Sequence, residues 1–222
     1  MRFTNIIYDS DGVLVDSFRD GFDRTIAIAK ARGWPTDERI LADITANWGG
    51  PTEDIIGEHW RGLISPKGLE RIWNEINKTV VSGLFARTRE TLEAVSLRNI
   101  GQHVCTGRGR TSTAKHLGQN GIRAFFTRIV TQRDVRTQKP APDGLNNIIV
   151  PYEKAGRSRD EFLFVGDGYK ADWEAAKAAE VEFLAVCQAP NARCERFLAA
   201  GVPATNIIDD IGKLPAWLDR NG

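Results

Sequence analysis

At 222 residues the chain can bury a sizeable core, either as one large domain or as one domain carrying an insertion. Charged residues make up 27% and balance to a net charge of +1, so bulk electrostatics favour neither a nucleic acid nor a membrane surface as partner, and no apolar run approaches the roughly 18 residues of a spanning helix. Three cysteines without ligand spacing, and a first strand that starts at residue 2 with no room for a secretory leader, point to a soluble protein of the reducing cytoplasm.

The first element, Arg2–Tyr8, is apolar and β-branched enough to read as a buried strand. It runs into Asp9-Ser10-Asp11-Gly12, where the glycine permits a tight turn. On extended backbone, residues two apart share a face about 6.5–7 Å apart. Asp9 and Asp11 are therefore expected to converge at the carboxyl end of this strand. One carboxylate can attack an electrophile while the other handles the proton of the leaving group. Asp, Ser and Gly are also ordinary turn residues, so the pair gains meaning only beside further reactive groups at the ends of later strands.

Residues 16–88 show helical patterning alone, in segments marked by Phe22, Ile26 and Ala29, by Ile40 and Ile44, and by Leu69, Ile72 and Ile76. Glycines and prolines at 33–35, 49–51 and 66–68 punctuate them, and four of the six tryptophans fall here. From about residue 89 short apolar runs alternate with helices. A helix at Glu90–Leu97 precedes a strand ending at Thr106, in which Cys105 reads as a small core residue. Thr111–Gln119 reads as a helix capped by Thr111 or Ser112 and closed by Gly121. A strand near Arg128–Thr131, a helix opened by Pro142 and Asp143, a strand at Phe162–Val165 and an alanine-rich helix at Ala171–Ala179 come next. Strands at Phe183–Cys187 and Asn206–Ile208 and a helix near Gly212–Leu218 close the chain. Such alternation predicts an α/β fold: a Rossmann-like doubly wound parallel sheet, residues 1–15 and 89–222, with residues 16–88 inserted as a helical cap domain. Sites in such sheets lie outside the carboxyl ends of the strands.

Four elements fall at those ends. Beside Asp9 and Asp11 stand Thr106-Gly107-Arg108, whose hydroxyl and glycine-flanked amides suit phosphate oxygens. Lys139 precedes Pro140 and Pro142, on what reads as a stiff extended segment that aims its ammonium. Asp167 ends a strand in Gly166-Asp167-Gly168, and Asp172 stands five residues later, where it could also serve only a helix N-terminus. Three or four carboxylates converging with one lysine carry excess negative charge, for which Mg²⁺ is the natural compensator. Acidic cluster, hard cation, lysine, hydroxyl and amides together are equipment for a transferring phosphoryl group.

In these motifs the chain resembles the haloacid dehalogenase superfamily, in its phosphatase branch with a small helical cap. The motifs are Asp9-Ser10-Asp11-Gly12-Val13-Leu14-Val15-Asp16-Ser17, Val104-Cys105-Thr106-Gly107, Lys139-Pro140-Ala141-Pro142-Asp143-Gly144 and Val165-Gly166-Asp167 with Asp172 beyond it. They occur in the family's order and span nearly the whole chain. The resemblance implies Asp9 as nucleophile forming an aspartyl-phosphate, and Asp11 as general acid and then base, with its backbone carbonyl on Mg²⁺. It further implies Thr106 and Gly107 as phosphate holders and Lys139 as the neutralising cation. Asp167 would ligate the metal, and Asp172 would support it directly or through water. The chain departs from the pattern at Ser10, usually a bulky apolar residue, and in the five-residue spacing from Asp167 to Asp172, commonly four. Arg87-Thr88 replaces a common Pro-Gly, and Glu180 stands where a glycine commonly ends a helix.

The expected function is therefore Mg²⁺-dependent hydrolysis of a small phosphorylated metabolite, in the manner of a phosphoglycolate phosphatase. Asp11 counts against a 2-haloacid dehalogenase, and the loop 49–54 lacks the lysine of a phosphonate-cleaving relative. A sugar-phosphate mutase of the β-phosphoglucomutase type shares every catalytic residue, and a non-catalytic phospho-ligand-binding protein is the alternative of another class. Specificity in capped relatives is read by the cap, which nominates Trp48, Gly49 and Thr52 as substrate contacts, although a tryptophan among helices is more often core. Arg19 and Arg108 read either as contacts to a second acidic group of the substrate or as solvated surface residues. A monomer or homodimer with no nucleic-acid or membrane partner is expected.

Overall fold

The computed structural model describes residues 2–48, 52–79 and 81–221. They divide into two compact units, Met1–Asp16 with Gly83–Gly222, and Ser17–Ser82. The second boundary thus falls six residues before the expected 88/89. The returning chain is already bound to the first unit there: Asp16 N–H donates to Gly83 O at 2.9 Å and Phe85 N–H to Leu14 O at 3.1 Å.

The larger unit is built on six parallel strands: β1 (Asn5–Tyr8), β2 (Gly101–Cys105), β3 (Arg128–Val130), β4 (Phe162–Gly166), β5 (Glu182–Val186) and β6 (Ile207–Ile208). Their order is β3-β2-β1-β4-β5-β6, so the chain leaves β1 for one side of the sheet and later returns to its other side. This is the doubly wound arrangement, and its switch point lies at the carboxyl end of β1. The strands read as continuous apolar runs because both faces are covered. Ile6, Tyr8, Val104, Leu163, Val165 and Leu184 bury one face with α5 (Thr88–Ser96), α6 (Arg110–Gln119) and α10 (Leu214–Asn221). Ile7, Cys105, Phe162, Phe164, Phe183 and Ala185 bury the other with α7 (Asp143–Glu153), α8 (Glu174–Ala178) and α9 (Cys194–Ala199). Each large apolar side chain among them contributes about 1.5–3 kcal/mol on full burial.

The smaller unit is helical: α1 (Ser17–Ala31), α2 (Glu38–Asn47), α3 (Thr52–Ile56) and α4 (Pro66–Thr79). Ile26, Ala29, Ile44, Ile55, Trp60 and Leu69 form its core. Trp60 donates from its indole to Pro35 O at 2.9 Å, and Trp73 to Thr25 Oγ1 at 3.1 Å, which satisfies the polar edge of both rings. Among the described residues no helix is long and apolar enough to cross a membrane.

Several expectations are corrected locally. β1 starts at Asn5 rather than Arg2, because pairing with β2 and β4 begins there, although Phe3 is already buried. Gly109, not Thr111 or Ser112, caps α6, and no side chain does the capping. Gly121, at φ 65°, closes that helix as expected. The short helices α3 and α9 were not expected: each is five or six residues, too short for a periodic pattern to show.

Candidate active site

Asp9 lies one residue beyond β1, and its N–H extends the ladder to Val165 O at 2.9 Å. The chain then turns rather than continuing as a strand. Leu14 and Val15 N–H groups both reach back to Ser10 O at 2.9 Å, and Gly12 takes φ 78°. A side chain at position 12 would also collide with the Asp167 carboxylate, so glycine is required here twice over. Because the backbone turns after Asp9, the two-residue alternation no longer governs the carboxylates of Asp9 and Asp11. They face different partners.

Asp9 faces Lys139, whose Nζ lies 3.0 Å from Asp9 Oδ1 and 2.5 Å from Asp172 Oδ1. Lys139 also donates to Cys105 O at 3.3 Å, and its side chain is only 9% exposed. Lys139 sits in a turn, not on an extended segment, and the Lys139–Pro140 peptide is cis. The turn nonetheless fixes the ammonium between two carboxylates. Burial alone would lower the ammonium's pKa, but Asp172 and then Asp9 overcome it, so its pKa is raised and it stays charged.

Asp172 is 1% exposed. Its second oxygen accepts from the N–H groups of Asp167 at 3.1 Å and Gly168 at 2.8 Å. The five-residue spacing from Asp167 is accommodated by a π-helical turn at Tyr169–Trp173, which replaces the first three residues of the expected Ala171–Ala179 helix. Trp173 N–H bonds five residues back to Gly168 O at 3.1 Å, so one additional residue is looped out while Asp172 still points at the strand end.

Asp9, Asp167 and Asp172 each offer an oxygen, and these oxygens lie within 4.8 Å of one another. Burial, opposed by Lys139 and reinforced by Asp172 and Asp11, pushes the Asp9 carboxyl up to about 7. Burial, then Asp172 and Asp9, raises Asp167 as well. Three carboxylates against one ammonium leave negative charge unbalanced. An all-oxygen donor set with surplus charge fits a hard divalent cation such as Mg²⁺. Three of the roughly four lone-pair positions of Asp172 are already taken, which leaves Asp9 and Asp167 better placed as direct ligands.

Asp11 stands apart from this cluster. Arg108 grips its carboxylate with both edges of a fork: Nε donates at 2.9 Å and Nη2 closes the second bond. Behind it, Arg108 Nη1 donates to Ser112 Oγ at 2.9 Å and lies 3.4 Å from His116 Nε2, both on α6. Burial and then the Arg108 charge lower the His116 pKa, so the ring is held neutral. With its Nδ1 proton on Ser112 O at 2.9 Å, Nε2 is left as an acceptor for Arg108. Arg108 is therefore neither a solvated surface residue nor open to a ligand in this state: its side chain is 8% exposed. Thr106 N–H continues the β2 ladder to Val130 O at 2.9 Å, and its Oγ1 accepts from Arg108 N–H at 3.1 Å. The Thr106 hydroxyl proton remains to be donated, beside the exposed Gly107.

Sequence reasoning missed three supporting residues. Ser112 and His116 are visible as an i, i+4 pair on one helix face once Arg108 is known to be buried. Gln188, beyond β5, donates to Gly12 O at 3.2 Å and Val13 O at 2.7 Å and holds the turn after Asp9, a contact no local pattern encodes. Of the residues expected to read the substrate, Trp48 packs against Phe18, Phe22 and Trp73 within the helical unit. Gly49 lies outside the described residues, Thr52 opens α3, and Arg19 is exposed on α1.

Comparison with known proteins sets this geometry in context. The family model for haloacid dehalogenase-like hydrolases matches residues 6–186. A phosphoglycolate phosphatase of Yersinia pseudotuberculosis is 31% identical over 185 residues, 78% of this chain and 76% of that protein. The pyrophosphatase PpaX of Oceanobacillus iheyensis is 30% identical over 193 residues, 84% of each chain. Among solved structures, the haloacid dehalogenase-like family protein SP0104 from Streptococcus pneumoniae superposes with a TM-score of 0.76 at 18% identity, over 98% of this chain and 99% of that one.

Proposed function

The chain belongs to the haloacid dehalogenase-like hydrolases, and from that premise we propose that it is a Mg²⁺-dependent phosphomonoesterase working through a phosphorylated Asp9. The observation that carries the reading is the Lys139 ammonium held between Asp9 and Asp172, at 3.0 and 2.5 Å, beside a third carboxylate. A lysine so placed leaves Asp9 oriented and offsets part of the charge that a phosphate dianion brings. Relatives named as a phosphoglycolate phosphatase and a pyrophosphatase support a small phosphorylated substrate.

In this reading an Asp9 oxygen attacks phosphorus, the bond from phosphorus to the leaving oxygen breaks, and that oxygen takes a proton from Asp11. Water then attacks the same phosphorus, Asp11 takes the water's proton, and Asp9 is regenerated as phosphate departs. The Thr106 hydroxyl and Gly107 N–H donate to the equatorial phosphoryl oxygens, and Lys139 balances the charge on the Asp9 side. Asp9 and Asp167, with the Asp11 carbonyl, would hold Mg²⁺, which when bound supplies the positive charge that the acidic cluster lacks. The helical unit would read the remainder of the substrate. Phosphate release from a panel of phosphorylated metabolites, with Mg²⁺ and with excess chelator, tests the reading. Release that stops in chelator and returns with Mg²⁺ is expected; undiminished release in chelator, or none from any ester, overturns it.

A further inference from the structure

With both its oxygens accepting from the Arg108 guanidinium, Asp11 is poorly set to carry the proton that the leaving oxygen needs. Arg108 is poorly placed to follow Asp11, because Ser112 and His116 of α6 hold Nη1 from behind. Asp11 is the more exposed partner, 35% against 8%. If Asp11 alone swings away, a nearly buried guanidinium loses its counter-ion, which is strongly unfavourable. The edge left behind, Nε and Nη2, is a planar fork that fits one carboxylate or phosphate as well as it fits Asp11. An anion supplied by the substrate can replace Asp11 like for like, whereas a neutral leaving group leaves the fork empty.

We infer that Arg108 is a specificity-determining residue that exchanges the Asp11 carboxylate for a second anionic group on the leaving half of the substrate, and so frees Asp11 for phosphomonoesters that carry such a group. The inference rests on the phosphatase reading above. The second anion is a carboxylate or a further phosphate attached a few bonds from the ester oxygen. Arg108 thereby couples substrate identity to the availability of the proton-transfer group.

Phosphoglycolate and ethyl phosphate share a two-carbon leaving group and differ in one carboxylate, so their kcat/KM ratio reads the exchange directly. With the full chain and Mg²⁺, the parent is expected to favour phosphoglycolate on the order of 100-fold. Arg108→Gln should bring the ratio within about tenfold, and Arg108→Lys should fall between, since an ammonium keeps the charge and loses the fork. A parent ratio near one, or variants that lower both esters by the same factor, overturns the inference and leaves the phosphatase reading standing. Urea melts show whether each variant folds. If Arg108→Gln does not, Arg108→Lys decides alone, and an unchanged ratio there overturns the exchange. A parent that releases phosphate from neither these esters nor an aryl phosphate removes the phosphatase reading first.

Discussion

Replacing Asp9 by asparagine should stabilise the metal-free protein. Burial, partly offset by Lys139 and deepened by Asp172 and Asp11, raises the Asp9 carboxyl from 3.8 to about 7. In the unfolded chain the group titrates near its ordinary value, so between the two values the folded state holds the extra proton. Stability from Asp9 is then fully present below the unfolded pKa and is lost as pH rises through about 7. At about 1.36 kcal/mol per unit, the loss reaches roughly 4 kcal/mol near pH 8 and falls below about 2 kcal/mol near pH 5. Asparagine is neutral throughout, and Lys139 keeps Asp172 as its partner at 2.5 Å. Asp9→Asn in chelator is therefore expected to exceed the parent by about 2–4 kcal/mol near pH 8, with a gap that narrows toward acid. Urea denaturation followed by tryptophan fluorescence measures it, and added Mg²⁺ should raise the parent more than the variant. A variant no more stable than the parent near pH 8, or a gap that widens toward acid, refutes the reasoning.

Asp172→Asn should behave oppositely. An amide cannot accept from two backbone N–H groups and also face an ammonium with an oxygen, so a loss of about 3–5 kcal/mol is expected by urea melt, with phosphate release reduced on every substrate. Glu180→Gly should stabilise by about 0.5–1 kcal/mol in the same assay. Glu180, at φ 54°, occupies the left-handed position of a motif in which Val181 N–H bonds to Ala176 O at 3.0 Å and Glu180 N–H to Lys177 O at 3.1 Å, a helix end that favours glycine.

The fold was legible because its signal is local and repeated. Buried strands such as Ile6–Tyr8 and Phe162–Val165 are short apolar runs, and their spacing by helices implies a parallel sheet. Departures were legible where the backbone itself is special. Glu180, at φ 54°, holds left-handed backbone where family members commonly carry a glycine, and Arg87, at φ 62°, does so within the dipeptide that replaces a common Pro-Gly. The π-helical turn was not legible, because the looped-out residue changes no periodicity that a five-residue window can show. The pairing of Asp11 with Arg108 was hidden for a different reason. The 97-residue separation between them, and the burial that makes the guanidinium demand a carboxylate, belong to the assembled sheet rather than to either motif. The spacing of Asp9 and Asp11 described a strand, and the strand ends at Tyr8.

In the proposed reaction the phosphoryl group passes through Asp9. Rapid-quench reaction of the parent with a ³²P-labelled substrate and Mg²⁺, then peptide mapping, measures it directly. A hydroxylamine-sensitive label on the peptide that contains Asp9 is expected, formed and lost within a turnover and missing in Asp9→Asn. Phosphate release without a labelled peptide, or a label that persists in Asp9→Asn, would contradict it.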